Sequence, residues 1–332
     1  MKKIIALSCG RKNQICETMI KEAAMGAEEL GVKTEIIRAV SLKVLPCTGC
    51  GACNVKRVCV LKDDVEWILE KTCVEDAALI IAVPCYHVRA NALFACINER
   101  MNHVFANRWD IMKKTRVGGV IGVGGSGYDG WTSLSNPMVE IFMQHTRKVV
   151  DKIQVNFCAL REWNLWLRED MTPVTQKVRV TDIDYEDMWT AWGPQLDRIT
   201  FFKKALARAR NLGRNVAKAM DTPAEDAPYV GEKSGVACPV CKSNILHVHE
   251  DLPYVSCPVC AIRGEIVLEK GRMKVAWNAD DAKLPRFSYE ADRHHMDWIQ
   301  QHYVDNPDYG KAAEEIMKQY RGYGNIIRPE KK

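Results

Sequence analysis

Short apolar runs alternate along the chain with longer segments in which apolar residues recur every three or four positions. Residues 3–8, 34–40, 78–83, 117–123 and 153–159 are apolar runs of strand length. Between the first two, residues 16–30 place Met19, Ile20, Ala23, Ala24, Ala27 and Leu30 on one helical face, and Gly31 ends the pattern. Asp63-Asp64-Val65-Glu66 has the form of a capping box ahead of Trp67, Ile68 and Leu69. Residues 91–105 predict a third helix. Asn136-Pro137 supplies the cap and first-turn proline of a fourth, reaching about residue 150. Strand and helix alternating five times predict an α/β fold, a doubly wound parallel sheet of five strands covered on both faces.

The alternation stops at residue 160. Residues 161–192 hold four of the nine tryptophans, Trp163, Trp166, Trp189 and Trp192, and read as an aromatic-rich insert. A helix is predicted over 194–220, with one apolar face and one basic face; the basic face (Arg198, Lys203, Lys204, Arg208, Arg210, Arg214, Lys218) reads as solvated surface. Residues 221–234, with two prolines and a glycine, predict a linker. A small cysteine-bearing module follows over 235–280, then a helical tail over 281–332.

Length and charge narrow the possibilities. A chain of 332 residues allows two or three domains, and a composition 47% hydrophobic and 27% charged is that of a globular protein. No apolar run approaches the roughly 18 residues of a membrane span. The first ten residues are too short an apolar stretch for a leader and are followed at once by Arg11-Lys12-Asn13-Gln14, so they read as a strand and the protein as cytoplasmic. The net charge of +5 is too small to point to nucleic acid.

The unusual feature is fourteen cysteines, eight of them in two groups. Disulfide frameworks belong to small secreted chains, so clustering in a chain of this kind points to metal. Cys47, Cys50, Cys53 and Cys59 have the spacing C-x2-C-x2-C-x5-C. Thiolates at every third residue can wrap a cluster and a fourth can close it, with Gly49 and Gly51 leaving backbone N–H groups for sulfur. A zinc site prefers two separated knuckles, so the spacing favours a [4Fe–4S] cluster over zinc. Cys238-Pro-Val-Cys241 and Cys257-Pro-Val-Cys260 are two such knuckles and predict a tetrahedral S4 site. Zinc in a small ribbon is the first reading there and a rubredoxin-like iron the second, since Lys242 and Ala261 stand where a glycine usually follows such knuckles.

Three segments leave predicted strands at the edge where open α/β sheets bind ligands. They are Ser8-Cys9-Gly10-Arg11-Lys12-Asn13 before the first helix, Pro84-Cys85-Tyr86-His87 after the third strand, and Gly124-Gly125-Ser126-Gly127-Tyr128-Asp129 after the fourth. The G-x-G-x-x-G formed by Gly122, Gly124 and Gly127 is a weak match to the dinucleotide fingerprint, which belongs on the first strand and is followed by an acidic residue about twenty positions on. With the compact cysteine motif, the stretch Cys59–Asp64, Pro84-Cys85-Tyr86 and the helix end Ile97-Asn98-Glu99-Arg100, this arrangement resembles the flavodoxin-like NADPH-dependent FMN reductases, and among them the iron–sulfur flavoproteins.

The resemblance covers about residues 1–160. It implies a sheet ordered 2-1-3-4-5, FMN bound across the three loops, and a homodimer or homotetramer; with the helix that follows, the flavin domain is expected over 1–220, carrying the cluster loop 47–59 and the insert 161–192. It also implies FMN held by Ser8, Cys9, Gly10, Arg11, Asn13, Cys16, Pro84, Cys85, Tyr86, His87, Gly124, Gly125, Gly127 and Tyr128. Gln14-Ile15-Cys16 stands where the family has Gly-Asn-Thr, leaving backbone N–H groups and Arg11 for the phosphate. Tyr86, His87, Tyr128 and Asp129 are the polar groups placed to give a proton to a reduced substrate. The expected activity is electron transfer between NAD(P)H or a ferredoxin-type donor and an organic or protein acceptor. The rivals are a reductase of flavin or quinones with a metal-free cysteine loop, and a non-catalytic redox sensor that binds through the ribbon.

Overall fold

A computed structural model describes residues 2–108, 116–124, 134–156, 198–305, 308–318 and 320–321. Five strands, β1 (Lys3–Ser8), β2 (Lys33–Arg38), β3 (Ala78–Tyr86), β5 (Arg116–Gly124) and β6 (Arg147–Asn156), pair in parallel in the order β2-β1-β3-β5-β6, and the two-residue β4 (Arg89–Ala90) turns back on β3. This is the expected flavodoxin-like order. The central strands are continuous apolar runs because both of their faces are covered.

On one face lie α1 (Ile15–Glu28) and α7 (Arg198–Ala219), packing Met19, Ala23, Ala209 and Leu212 onto Ile4, Ile80 and Ile121. The two helices touch backbone to backbone. A Cβ on Gly26 would stand 2.0 Å from the Arg210 carbonyl oxygen and one on Gly213 1.8 Å from that of Ala23, so only glycine permits this crossing. Ion pairs flank it, Arg210 to Glu22 at 2.8 Å and Arg214 to Glu29 at 2.6 Å. The basic face of this helix is therefore partly consumed by α1, where the sequence suggests a solvated surface.

The other face carries α3 (Val65–Leu69), α4 (Ala92–Glu99), α5 (Asn102–Asn107) and α6 (Ser135–Gln144), which bury Ile68, Phe94, Ile97, Val139 and Phe142 against Ile5, Leu79 and Ile81. The single helix expected over 91–105 is two helices, broken at Arg100 and Met101. Asn91 caps the first of them by accepting from the Phe94 N–H at 3.3 Å. No side-chain cap forms at Asp64. The capping-box residues instead hold a loop, Asp63 accepting from the Leu45 N–H at 2.8 Å and Asp64 from the Lys43 N–H at 2.7 Å.

The fourth helix ends at Gln144, six residues before its expected end, and β6 begins at Arg147. The strand that follows carries a bulge. The register of β6 on β5 slips so that Gly118 faces Val149 and Gly119 faces Asp151. Val150 is the extra residue, and its carbonyl accepts from Val230 N–H of the following segment at 2.8 Å. Beyond the bulge Asp151 joins Ile153 and Val155 on the α7 side, and Lys152 points to α6. Asp151 is fully buried and accepts two bonds from Arg208, at 2.8 and 2.5 Å, and one from Asn215 at 2.8 Å. Lys152 donates to buried Glu140 at 2.8 Å and to the carbonyl of Lys242.

The C-terminal part is an antiparallel sheet of β7 (His247–Val248), β8 (Val255–Ser256), β9 (Arg263–Glu269) and β10 (Arg272–Trp277), followed by α8 (Tyr289–Ile299) and α9 (Asp308–Lys318). It is seated on α6, with Ile141 against the cysteine cluster and His145 Nδ1 2.8 Å from Asp292 Oδ2. Among the described residues no helix is long and apolar enough to cross a membrane. The insert 161–192, Gly125, Gly127, Tyr128 and Asp129 lie outside the described residues.

Candidate functional site

Strands β1, β3 and β5 end at Ser8, Tyr86 and Gly124, so these residues share one edge of the sheet. Beside them α1 begins with an uncapped first turn, because Gln14 makes no side-chain bond to it. Helix starts of this kind present free N–H groups and a partial positive charge to an anion. Arg11 and Lys12 are exposed next to it. Ser8 Oγ is buried at this edge without a hydrogen-bond partner among the described residues. Gly10 lies against Cys16, whose Cβ would be 2.6 Å from a Cβ at position 10. These features fit the phosphate of a flavin mononucleotide bound mainly through backbone groups.

Cys9 and Cys16 are placed inward. Both are buried, and burial pushes the Cys16 thiol up to about 12 and the Cys9 thiol higher still. Asn13, at φ 55°, gives its N–H to Glu17 at 2.9 Å. Glu17 is itself buried and held in a two-bond fork by Arg38, at 2.6 and 2.8 Å, which keeps its carboxyl far below the usual range. A carboxyl depressed in the folded state stabilises above its unfolded pKa of about 4.3 and loses that contribution as pH falls below it. Glu17→Gln is therefore expected to lower the urea midpoint at pH 7, with the gap to wild type narrowing steadily as pH falls below about 4 without closing by pH 3.

At the end of β3, Cys85 pairs with Ala90 and Tyr86 with Arg89, so His87 and Val88 form a two-residue hairpin turn. Their φ values are 50° and 72°, as a type I′ turn requires, and a β-branched residue is strained there. The turn is pinned by the Leu134 N–H, which donates to the Val88 carbonyl at 3.0 Å. Tyr86 and His87 stand exposed at its tip. Asn91 ties the loop to the first strand by donating to the Cys9 carbonyl at 2.8 Å. Pro84 is buried, and the Cys85 thiol is pushed up to about 11 by burial. Behind the rim, Ser135 donates to Gln154 at 3.0 Å, while Asn136 Oδ1 and Gln154 Nε2 are buried without partners among the described residues. The sequence marks Asn136 as a helix cap, but α6 already begins at Ser135, so Asn136 lies inside its first turn and turns its amide to the strand instead, donating to the Ile153 carbonyl at 3.1 Å; nothing in the local sequence singles out Gln154. The two meet only because α6 and β6 pack side by side.

The first cysteine loop follows the carboxyl end of β2 and carries the short helix α2 (Ala52–Lys56). Cys47 and Cys50 are exposed, and Cys53 and Cys59 half-buried. Gly49 and Gly51 are left-handed at φ 66° and 68°, and each would meet open space with a side chain. Gly49 N–H approaches Cys47 Sγ at 3.4 Å. The Ala52 N–H and then the Thr48 hydroxyl lower the Cys50 thiol, whereas partial burial raises Cys53 and its neighbours Cys47 and Cys59 add to that. The loop ends at the far end of α4, where Arg100 donates to Cys59 Sγ at 3.1 Å and to Asp63 at 2.5 Å. It thus folds back from the sheet edge by about the 12 Å of an eight-residue helix.

The second set is closed. The sulfurs of Cys238, Cys241, Cys257 and Cys260 all lie within 4.8 Å of one another and all four residues are buried. Each knuckle turns through a left-handed residue, Lys242 at φ 65° and Ala261 at φ 60°, whose N–H returns to the first cysteine's carbonyl at 3.0 and 2.8 Å. Ser243 N–H reaches Cys241 Sγ at 3.5 Å and Cys260 N–H reaches Cys257 Sγ at 3.4 Å. This donor set fits one tetrahedral ion, and it does not distinguish zinc from iron. Among the described residues no three of the first four cysteines converge as closely. His249 is engaged with Ser256 Oγ at 2.9 Å and His302 with the Trp298 carbonyl at 2.9 Å, and neither joins a metal-ligand group.

Sheet order and rim define a flavodoxin-like protein carrying a four-cysteine metal centre. Residues 2–159 match the NADPH-dependent FMN reductase family. Similar proteins include an iron–sulfur flavoprotein of Methanosarcina thermophila, 35% identical over 116 residues, which are 35% of this chain and 59% of that one. An iron–sulfur flavoprotein of Methanocaldococcus jannaschii is 28% identical over 149 residues, 45% of this chain and 75% of that one. The chain thus spans 59% of the length of the first of these relatives. A solved flavone reductase shares the fold over 99% of this chain and 100% of its own, with TM-score 0.68 and 20% identity. The fold likeness therefore extends through the C-terminal module.

Proposed function

We propose that the protein is an oxidoreductase that uses FMN and a [4Fe–4S] cluster to move electrons between NAD(P)H or a ferredoxin-type donor and an organic or protein acceptor. The observation that carries this reading is the shared edge. An uncapped helix start, a strained hairpin and the end of β5 meet there in a chain segment that matches the FMN reductase family. FMN, when bound, supplies hydride and single-electron chemistry. The chain's part is to hold and expose it. The first turn of α1 and Arg11 bind the phosphate, Pro84 and the hairpin wall the ring, and Tyr86 Oη or a ring nitrogen of His87 gives the acceptor its proton. Cys47, Cys50, Cys53 and Cys59 hold the cluster, with Cys47 and Cys50 toward solvent and an electron partner. Zinc at the second set is structural in this reading.

Anaerobic purification followed by flavin, iron, sulfide and zinc analysis tests the proposal. About one flavin, four iron, four sulfide and one zinc per chain are expected. NAD(P)H-driven reduction of a quinone, a dye and a flavone then tests turnover. About two zinc with no sulfide would remove the cluster, and absence of flavin would remove the reductase.

A further inference from the structure

The pair Asp63–Arg100 is the most buried ion pair beside either cysteine group, with side chains 0% and 3% exposed. Its two halves are 37 residues apart in sequence. Asp63 gathers both ends of the cysteine loop by accepting from the Leu45 N–H at 2.8 Å and the Val65 N–H at 3.3 Å. One guanidinium nitrogen of Arg100, Nη1, serves this brace, bonding Asp63 and reaching the Leu45 carbonyl at 3.5 Å. The other, Nη2, is directed at Cys59 Sγ at 3.1 Å. A brace between loop ends has no need of that second contact. A thiolate ligand does, since a donor and positive charge at a ligand sulfur alter how readily the bound metal accepts an electron.

We propose that Arg100, oriented by Asp63, sets the reduction potential of the group held by Cys47, Cys50, Cys53 and Cys59, favouring its reduced state. The inference rests on the iron–sulfur reading of that loop. One-electron reduction adds one negative charge to the cluster and its four thiolates. A guanidinium at 3.1 Å from one of those sulfurs stabilises the added charge, and burial of Arg100 keeps water from screening it. Asp63 offsets part of the effect from farther away, so its main work is to fix the fork. Arg100 is accordingly a positioning residue that never meets the acceptor.

The test is a dithionite titration of the full-length protein, purified without oxygen, with the reduced cluster followed by electron paramagnetic resonance. Dithionite is the reductant and gives one electron per cluster. Arg100→Gln is expected to shift the reduction equilibrium at least about tenfold toward the oxidised form, which is about 59 mV more negative for one electron. Flavin content should not change. Arg100→Lys keeps a charge opposite Asp63 and serves if the glutamine variant does not fold. It loses the two-pronged geometry, so a shift of the same sign and about threefold is expected. Variants that retain four irons and titrate with the wild-type midpoint overturn the proposal. A wild-type chain without iron and sulfide overturns it together with the reading beneath it, and the iron assay separates the two failures.

Discussion

Cys257→Ser should strip the metal from the C-terminal module and unfold residues 235–280, while the parallel sheet survives. The core of that module consists of Cys238, Cys241, Cys257, Val259, Cys260 and Ile262, so four of its six buried residues are the ligands themselves. Two of its strands are two residues long. Such a body cannot offset its chain entropy by apolar burial, and ligation supplies the difference, about 10–16 kcal/mol for structural zinc at neutral pH. The check is metal content paired with limited proteolysis. The variant should lack one metal ion per chain and be cut between 235 and 280, where wild type resists. A metal-free variant as resistant as wild type would show that the module folds on its own. Because Ile141 packs against this core, cleavage should also loosen α6, whose first turn borders the sheet edge proposed to hold flavin.

Asp151→Ala should be the most destabilising single change in the sheet. The carboxylate is fully buried and accepts three side-chain bonds from α7, and removing it strands the Arg208 guanidinium in a partly buried position. Breaking a buried pair from one side costs about 3–5 kcal/mol, and the partial exposure of Arg208 places this case toward the lower end. In denaturant the midpoint should fall with an unchanged slope. Asp151→Asn, which keeps the volume and one acceptor, should lose less. If the two variants lose the same amount, the charge is irrelevant and packing alone matters.

What the sequence discloses follows the range of the forces involved. β1, β3 and β5 are legible because strands buried on both faces are uninterrupted apolar runs, and the Cys-Pro-Val-Cys pairs are legible because ligand spacing is local. β6 was the element to misplace. Arg147 and Lys148 look like the exposed end of a helix and Asp151 and Lys152 like the turn after it, yet Arg147 and Asp151 are buried and bonded to Thr72, Arg208 and Asn215 from far along the chain. The break between α4 and α5 was hidden for the same reason. Arg100 and Met101 suit a helix, and it is the bond from Arg100 to Asp63 that makes its position the end of one. The resemblance brought Asp63 and Arg100 to notice as separate motif residues. Only the folded chain joins them to Cys59.

The bulge at Val150 decides which charges meet. Side chains in a strand alternate between faces, so the strand's parity is fixed by the number of residues preceding each position. As it stands, Val150 and Asp151 lie on the same side, and Val149 and Lys152 on the other. Were Val150 to take the place opposite Gly119, every later residue would change faces, turning Asp151 toward Glu140 and Lys152 toward Arg208 and setting acid against acid and base against base. A residue left out of the pairing thus works as a sorting element, sending an acid to one helix and a base to the other.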